Sequence, residues 1–522
     1  MKLSARKQEC EGQMTGEKYF STALFRFRLH ASFILAILSI VSGLAGCAVG
    51  PDFVRPKPPA VTQYTHEPTP EQTTAGDGLA QRFELGAEIA EEWWRLFNSP
   101  ELDAVVRKAI DENRSFQSAL SRLRQSQDNL RAGYGVFFPQ MNLSFSADRE
   151  KFSLVQFGIT GQSPAAQSFG LAQSTLFNLF TFQGTVSYVV DVFGGERRHV
   201  EDLAAQVEYQ KQTFRAASLT LVSNVLNASI AGAGYRAQIE ATREIIAFQK
   251  EQLKITETQA KAGTAPYSNV LAIKAQVEAT EATLPPIEKN LSQSQHLLTA
   301  LVGKTPEQWA PPQIDLTSIT LPVEIPVSLP SELTHRRPDI LAAEAQLHSA
   351  SANIGVATAA LFPNLTLSAN YGWNNTDITK LFVPGVNFWS IGSNIAQPIF
   401  HGGTLWFQRK AAIKVYEASL SDYQQAVVTG FQQVADSLRA LEFDARTLEA
   451  QSASLATAER NLKLITSNYQ AGLVNYLQVL SADTQYQQAR LGLIQAQALR
   501  LQDTTALFVA LGGGWWERCA AQ

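Results

Sequence analysis

Charged side chains are scarce in this 522-residue chain, where Asp, Glu, Lys and Arg make up 17%, against about 25% in typical soluble proteins. The formal net charge is −4 at pH 7 and no basic block occurs, so a nucleic-acid partner is not expected. Hydrophobic residues reach an ordinary 45%, which excludes a wholly disordered chain. The positions that lack charge are filled by Gln, Ser, Thr and Asn.

Residues that bind metals or carry out catalysis are also few. The three cysteines, Cys10, Cys47 and Cys519, have no metal-ligand spacing. The seven histidines never recur three or four positions apart, so the sequence contains no helical zinc pair. The patterns of serine hydrolases, P-loops, dinucleotide folds and zincins do not occur either. We therefore expect no metal, no cofactor and no enzymatic activity.

The amino-terminal region has the features of a secretory signal. An uncharged run at residues 31–45 follows the basic residues Lys18 and Arg28. As a helix this run would be about 22 Å long, short of the roughly 30 Å hydrocarbon core of a bilayer. A buried core helix is the alternative, but the basic flank favours a signal peptide at residues 1–46. Because the basic region is long, translation from Met14 or later is a second possible start.

The uncharged run ends in the sequence LAGC at residues 44–47, which resembles a bacterial lipoprotein signal. In that pattern Cys47 is acylated and becomes the first residue of the mature chain, and two or three acyl chains anchor a protein stably. Ala48, by resemblance to such lipoproteins, implies transfer to the outer membrane. Cys10 is then removed and Cys519 stays unpaired, so no disulfide within the chain is expected.

Proline is dense directly after the lipid-attachment site. The segment 50–59 reads GPDFVRPKPP, which favours extended, polyproline-like chain. We predict a lipid-anchored tether of extended chain over residues 47–88, which connects the lipid to the body of the protein.

The rest of the chain contains one unit twice. Pro139 and Pro363 each follow Phe, and Gly263 and Gly472 each follow Ala. Other pairs in the same order are Phe193 with Phe400 and Gly303 with Gly513. We predict a first repeat at 89–311, a second repeat at 312–514 and a short tail at 515–522.

Each repeat contains two stretches in which apolar and polar residues alternate, the period of a β-strand. Such strands fit a soluble antiparallel sheet with one buried face, and they also fit a membrane barrel with lipid outside and water inside. Because bacterial outer-membrane barrels need at least about 8 strands, four strands cannot close one. Either the sheet is soluble, or two or three chains pool their strands. The predicted strands are at about 139–150, 179–193, 363–373 and 387–400.

Long helices follow the strands in both repeats. Residues 195–261 and 403–470 contain no proline, and each could form a helix roughly 100 Å long. Leu441, Leu448, Leu455 and Leu462 recur at every seventh position, the spacing of a coiled-coil seam. Returning helices are predicted from about Tyr267 to Leu301 and Asn475 to Leu511, with a kink or break at Pro285-Pro286.

Several of these motifs together resemble TolC-like outer-membrane efflux lipoproteins of the NodT branch. The resemblance covers residues 47 to about 514 and rests on the repeated strand-helix body and on short motifs. These motifs are GPDF at 50–53, Arg55-Pro56, Arg337-Pro338-Asp339, the segment 329–357 and the two Ala-Gly-x6-Val-Leu turns at 262–271 and 471–480.

The resemblance implies a mainly α fold with a membrane β-barrel part, built from a duplicated helix–strand–strand–helix–helix unit. It implies a homotrimer in the bacterial outer membrane, contacting outer-membrane lipid, with a twelve-stranded barrel and a long periplasmic α-helical barrel. Its implied function is the passive exit duct of a tripartite efflux or secretion pump, with a periplasmic adaptor and an inner-membrane transporter of the RND type. The alternative is a structural periplasmic coiled-coil lipoprotein without channel activity.

The resemblance also assigns roles to single residues. Tyr469 matches the family's gate tyrosine at the periplasmic tip. Gln478 and Ser481 occupy gate positions where many relatives carry carboxylates, and Asp483 follows nearby. In the first repeat, Asn113 begins the sequence Asn-Arg-Ser where relatives commonly have Asn-Pro-Asp. Residues expected at the adaptor-docking tips are Gly263, Thr264, Ala265, Gly472, Leu473 and Val474.

A membrane barrel also defines which strand residues would face lipid. Val186, Val190 and Leu367 are expected to face lipid, because they belong to the apolar half of the alternation. Thr185 and Ser187 are expected to face the water-filled interior.

Overall fold

The computed structural model describes residues 48–67, 70–75, 80–153 and 174–514. The predicted signal peptide, Cys47 and the tail with Cys519 lie outside the described residues. The chain divides into two compact units. The sheet unit comprises the segment ending at Phe53, Asn129–Leu203 and Ser349–Tyr416, and the helix unit comprises Val54–Asp128, Ala204–His348 and the segment from Glu417 onward.

The described residues form eight α-helices and six strands. The helices are α1 Pro100–Glu112, α2 Arg114–Gly133, α3 Gly195–Lys261, α4 Tyr267–Leu301, α5 Pro330–Arg336, α6 Pro338–Ala359, α7 Thr404–Gln470 and α8 Tyr476–Ala510. The strands are β1 Arg82–Leu85, β2 Gln140–Ser153, β3 Ser174–Val190, β4 Glu324–Val327, β5 Asn364–Asn375 and β6 Asn387–Ala396.

The duplication is regular in the long helices. Helices α3 and α7 have 67 residues each, and α4 and α8 have 35 each. Helix α7 follows α3 at the same interval as α8 follows α4. The glycines that end α4 and α8 are Gly303 and Gly512, with φ of 80° and 95°. Gly303 therefore corresponds to Gly512, and the predicted pairing with Gly513 is wrong by one position.

The predicted coiled-coil seam is buried in its first half. Leu441 is 0% exposed and Leu448 is 4% exposed, whereas Leu455 and Leu462 are half-buried. Ile239 and Ile246 of α3, which correspond to Leu448 and Leu455, are buried. Burying a leucine or isoleucine stabilises the fold by about 1.5–3 kcal/mol relative to leaving it in water. By length and composition α3 could cross a membrane. Half of its most apolar 18-residue stretch is buried inside the chain, as in a core helix.

The proline pair in α4 does not interrupt the helix, so of the predicted kink or break the break does not occur. Helix α4 runs from Tyr267 to Leu301 with Pro285 and Pro286 inside it. Neither proline is buried, so the carbonyl groups that lose their helical N–H partners lie on the outer side of the helix. Water can donate hydrogen bonds to these carbonyls there, whereas a buried face would leave them unsatisfied.

Two equivalent side chains close the carboxyl ends of the returning helices. Asn113 Nδ2 donates to the Leu301 carbonyl over 2.7 Å at the end of α4. Arg337 Nη1 donates to the Ala510 carbonyl over 2.6 Å at the end of α8. Since the last four carbonyls of a helix lack intrahelical partners, each contact caps an end that would otherwise be buried unsatisfied. Asn113 and Arg337 are separated in the chain by the same interval as the two Phe-Pro motifs.

One strand of a small parallel sheet, β1, lies inside the region predicted to be a tether. Strand β1 pairs with β4, with Phe83 opposite Ile325. Upstream, the Tyr64 hydroxyl donates to the Ser328 carbonyl over 2.9 Å. Burial raises the pKa of Tyr64 to about 12. The part of the predicted tether from Val54 onward is thus held on the helix unit at several points, which its sequence did not indicate.

The four remaining strands form one antiparallel sheet in the sheet unit, in the order β2-β3-β5-β6. Their bounds lie within a few residues of the predicted ones. Strand β6 ends at Ala396, short of the predicted end, and Pro398 follows closely. Proline cannot donate to the ladder, so it ends the pairing.

The register separates the apolar from the polar strand positions. Val186 lies opposite Met141 in β2 and Ala369 in β5, and Tyr188 lies opposite Leu367. Directly opposite residues of an antiparallel pair point to the same side, so these side chains share a face. Thr185 and Ser187 lie opposite Asn370 and Ser368 on the other face. The predicted separation of apolar and polar faces is confirmed by the register.

Candidate channel wall and periplasmic tip

The apolar face of the sheet is open in a single chain. Met141 and Ile391 are each 78% exposed, and Trp389 is 67% exposed. An apolar patch on this scale marks a surface that lies against lipid or another protein. The opposite face carries side chains such as Asn142, Thr185 and Asn370, which suit contact with water.

The two edges of the sheet are unpaired within the described residues. Strands β2 and β6 are the outer strands, so each presents a row of backbone N–H and C=O groups with no ladder partner. In hydrocarbon each unsatisfied group costs several kcal/mol, so an open sheet cannot face lipid by itself. A lipid-facing sheet of this kind has to pair its edges with the strands of other chains.

The tip of the helix unit is formed by two matching turns. Helix α3 is followed by Gly263 and α7 by Gly472, with φ of 73° and 74°. Gly263 N–H donates to the Ala260 carbonyl and Thr264 N–H to the Gln259 carbonyl, over 3.1 and 2.9 Å. The second turn repeats both bonds from Gly472 and Leu473. This is a Schellman C-cap, in which glycine supplies the left-handed conformation.

The two turns differ in how the next helix begins. Asn475 caps α8, because its side-chain oxygen accepts from the Gln478 N–H over 3.3 Å. Pro266 precedes α4 without a side-chain cap. The predicted docking residues Thr264 and Leu473 are both exposed at the turns, and Leu473 is 74% exposed. Tyr267 and Leu477 add apolar surface beside them, with 68% and 65% exposure.

A small apolar cluster lies directly behind the turns. Ile273 and Val277 of α4 and Tyr476 and Val479 of α8 are buried together, and Tyr469 packs against them. The rings of Tyr469 and Tyr476 meet edge to face, with centroids 5.4 Å apart. Burial raises the pKa of Tyr476 above its ordinary value. The cluster therefore holds the ends of α4, α7 and α8 together.

The predicted gate residues occupy different environments. Tyr469 is half-buried and its hydroxyl lies 3.4 Å from Gln259 Oε1 of α3. Gln478 and Ser481 are exposed on α8 and lie outside the apolar cluster. No signal in the sequence marks Gln259, since glutamine is frequent along these helices and its spacing from Tyr469 forms no motif.

Asp483 faces the interior of the helix unit. It is 5% exposed, and its Oδ2 accepts from Gln249 Nε2 of α3 and Gln487 Nε2 of α8, over 2.6 and 2.7 Å. Burial raises the pKa of Asp483, and the two amide hydrogen bonds partly oppose that rise. Asp483 is thus separated from the exposed Gln478 and Ser481, and it links α3 to α8.

The chain matches the sequence profile of the outer membrane efflux protein family over residues 105–304 and 329–513. Pyoverdine export outer membrane protein OpmQ of Pseudomonas aeruginosa is 31% identical over 428 residues, covering 81% of this chain and 87% of OpmQ. Toluene efflux pump outer membrane protein TtgC of Pseudomonas putida is 28% identical over 93% of this chain and 96% of TtgC. The solved structure of the outer-membrane channel OprN has a TM-score of 0.78 at 25% identity, covering 90% of this chain and 100% of the OprN chain.

A duplicated unit of strand pair, very long helix, capped turn and returning helix defines a subunit of a TolC-like channel. The profile spans most of both repeats, and the chain belongs to the outer membrane efflux protein family. It is an efflux channel of the bacterial outer membrane that extends into the periplasm. The resemblance and the fold class predicted from the sequence are confirmed.

Proposed function

We propose that three copies of this chain pool their sheets into one twelve-stranded barrel and form the exit duct of a tripartite efflux or secretion pump. The observation that carries this proposal is the four-stranded sheet, with an exposed apolar face and two unpaired edges within the described residues. In the trimer, β6 of one chain pairs with β2 of the next, which satisfies every edge. The alternative, a purely structural coiled-coil lipoprotein, does not account for such a sheet.

Cys47 is proposed as the lipid-attachment site that anchors the mature chain in the outer membrane. The residue lies one position before the described segment, and the run at residues 44–47 carries the proposal. Acylation adds about 0.8 kcal/mol of membrane affinity per buried CH₂, so two or three chains anchor stably. The intact mass of the mature chain tests this, since an unmodified chain that retains residues 1–46 would contradict it.

The two tip turns are proposed to receive a periplasmic adaptor that connects the duct to an inner-membrane transporter of the RND type. Exposed apolar side chains next to a rigid C-cap suit a docking surface, because little ordering entropy is lost on binding. Leu473, Tyr267 and Leu477 supply that apolar surface. The names of OpmQ and TtgC, an export protein and an efflux pump component, support a pump context.

Tyr469 is proposed to hold the resting tip closed, with Gln478 and Ser481 near the constriction. Its ring contact with Tyr476 contributes about 0.5–1.5 kcal/mol, and its long hydrogen bond to Gln259 lies near the lower end of the usual range of about 0.5–1.5 kcal/mol. Three-fold symmetry would multiply both contributions. Packing around the ring thus outweighs the hydroxyl in this closure.

We expect Tyr469→Ala to open the resting channel, because it removes the ring contact and the hydrogen bond in each subunit. Planar-bilayer recording should show higher resting conductance than wild type, for a shift on the order of a few kcal/mol per trimer. Tyr469→Phe is the matched control, since it keeps the ring and should stay near wild type. Equal conductance of Tyr469→Ala and wild type would contradict the proposed gate.

A further expectation concerns divalent cations at this constriction. Because Gln478 and Ser481 are neutral, wild type should show weak block by divalent cations from the periplasmic side. Strong block of wild type in the same recordings would mean that another ring of charge forms the constriction.

A further inference from the structure

A cavity lies between three long helices, above the tip of the helix unit. It has a volume of about 440 Å³ and is lined by α3, α7 and α8. The apolar part of its wall includes Ile245 and Phe248 of α3, Leu462 of α7 and the ring of Tyr486 of α8. A volume of this size lies in the range that holds small organic ligands.

The charged groups of the cavity leave one buried carboxylate, that of Asp483, without a basic partner. Arg490 of α8 pairs with Glu244 of α3. Glu459 and Lys463 lie one turn apart on α7, and both are exposed to water. Asp483, also in the wall, has hydrogen bonds from the neutral amides of Gln249 and Gln487. The lining thus carries three acidic and two basic side chains, a net charge of −1 when Asp483 is ionised.

A buried carboxylate with no cation beside it is costly, and such a group either takes up a proton or attracts a positive ligand. Aromatic faces within reach of that carboxylate add attraction for a cation. Phe248 and Tyr486 supply two aromatic rings in the same cavity as Asp483. The combination fits a ligand with a charged amine at one end and an apolar body at the other.

We propose that this cavity binds an amphipathic organic cation, with its ammonium group on Asp483 and its apolar body against Phe248, Leu462 and Tyr486. A bound molecule contacts α3, α7 and α8 together, and it therefore keeps α7 and α8 packed on α3. Bound cation thus stabilises the closed tip. The effect on the tip rests on the proposed gate, whereas binding itself does not.

Binding is tested on the purified full-length protein in detergent with two probes of the same shape. 2-Naphthylmethylamine is protonated at neutral pH, and 2-naphthalenemethanol is its neutral counterpart. Because hydrogen bonds to charged groups are stronger than neutral ones, calorimetry should give the amine about tenfold or more tighter binding than the alcohol. Equal affinity for the two probes would overturn the proposal.

Two variants locate the site. Asp483→Asn keeps the shape of the side chain and should weaken amine binding about tenfold or more, with alcohol binding unchanged. Glu449→Gln removes a charge from an exposed position of α7 outside the cavity and should leave amine binding as in wild type. Amine binding that is insensitive to Asp483→Asn, or sensitive to Glu449→Gln, places the ligand elsewhere and overturns the proposal.

A pH series on wild type and on Asp483→Asn is a second test of the assignment to Asp483. Burial raises the pKa of Asp483, so amine binding should be lost as the pH falls through that raised pKa, while the amine stays protonated. Glu244, Glu459, Lys463, Tyr486 and Arg490 also face the cavity. In Asp483→Asn only these other groups titrate, so the series on that variant measures their contribution alone. The difference between the two series is the contribution of Asp483. An unchanged pH dependence in Asp483→Asn would overturn the assignment to Asp483.

The effect on the tip is read separately from binding. Saturating amine should lower the open fraction of the Tyr469→Ala channel in planar bilayers, and the alcohol should not at the same concentration. If the amine binds as described but the open fraction is unchanged, the coupling to the tip is overturned and the site stands. If wild type and Tyr469→Ala conduct equally, the proposed gate fails while the binding result is unaffected.

Discussion

Replacing Val186 with Arg should abolish assembly of the trimer in the outer membrane. Val186 lies on the apolar face in the last third of β3, opposite Met141 and Ala369. On the lipid face of a barrel an Arg costs about 2–4 kcal/mol at the bilayer midplane and about 0–1 kcal/mol near the interfaces, and a trimer would carry three of them. Leu367→Arg places the same charge on the neighbouring strand and should act alike. The measurement is the yield of heat-labile trimer from outer membranes, resolved by electrophoresis with and without boiling.

The matched control is Thr185→Arg, at the adjacent position of the same strand. Thr185 lies opposite Asn142 and Asn370 on the polar face, where an Arg side chain remains in water. We expect a trimer yield near that of wild type for Thr185→Arg, and the same for Ser187→Arg. If both faces gave equal yields, the assignment of one face to lipid would be refuted.

Replacing Arg337 with Met should cause the second-largest effect, a loss of trimer stability. Arg337 is 5% exposed and binds both carboxylate oxygens of Asp339, at 3.0 and 2.7 Å. Its guanidinium also donates to the Ala510 carbonyl and to Gln433 Oε1, each over 2.6 Å. The Asp339 side chain is 46% exposed and can be solvated after the change, so the loss comes chiefly from the Ala510 carbonyl and Gln433. Hydrogen bonds to a charged group contribute about 1.5–3 kcal/mol each, and a buried acceptor left without a donor costs about 1–3 kcal/mol. We expect the trimer of this variant to dissociate at markedly lower temperature.

The first repeat supplies the matched comparison for Arg337→Met. Asn113 makes the equivalent contact to the end of α4, but it is neutral and donates one hydrogen bond to the Leu301 carbonyl. Its Oδ1 also accepts from the Phe116 N–H over 2.8 Å and caps the start of α2. Asn113→Ala should therefore cost about 1–3 kcal/mol for the contact to α4 and about 0.5–2 kcal/mol for the cap of α2. Dissociation temperatures measured for the two variants rank them. A larger drop in dissociation temperature for Asn113→Ala than for Arg337→Met would contradict the role given to the Arg337 guanidinium.

The parts of the fold that the sequence predicts are those with long, regular patterns. Extended alternation located the strands β2, β3, β5 and β6, because each strand has a single apolar face. The seam at Leu441 and Leu448 could be predicted because leucine recurs at every seventh position of the helix. Strand β1 was not predicted, since four residues are too few to show a period.

The tip shows where sequence reasoning ends. Glycine at Gly263 and Gly472 predicts a turn from local chemistry alone, and both adopt the expected positive φ. The hydrogen bonds from Tyr469 to Gln259 and from Gln249 to Asp483 join helices that belong to different repeats. No local pattern marks Gln249 or Gln259, because their roles depend on how α3 packs on α7 and α8.

The capping residues Asn113 and Arg337 lie between these two cases. Their positions follow from the duplication, since they have the same separation in the chain as the two Phe-Pro motifs. The shared task does not, because an amide and a guanidinium are chemically unlike. Only the two carbonyl groups that they bind, those of Leu301 and Ala510, show that both cap a returning helix.

The central claim is that three chains pool four strands each, and native mass spectrometry of the protein in mild detergent tests it most directly. The complex released from the detergent should contain three chains, each beginning at Cys47 and carrying the added mass of its acyl groups. A complex of one, two or four chains would contradict the twelve-stranded barrel.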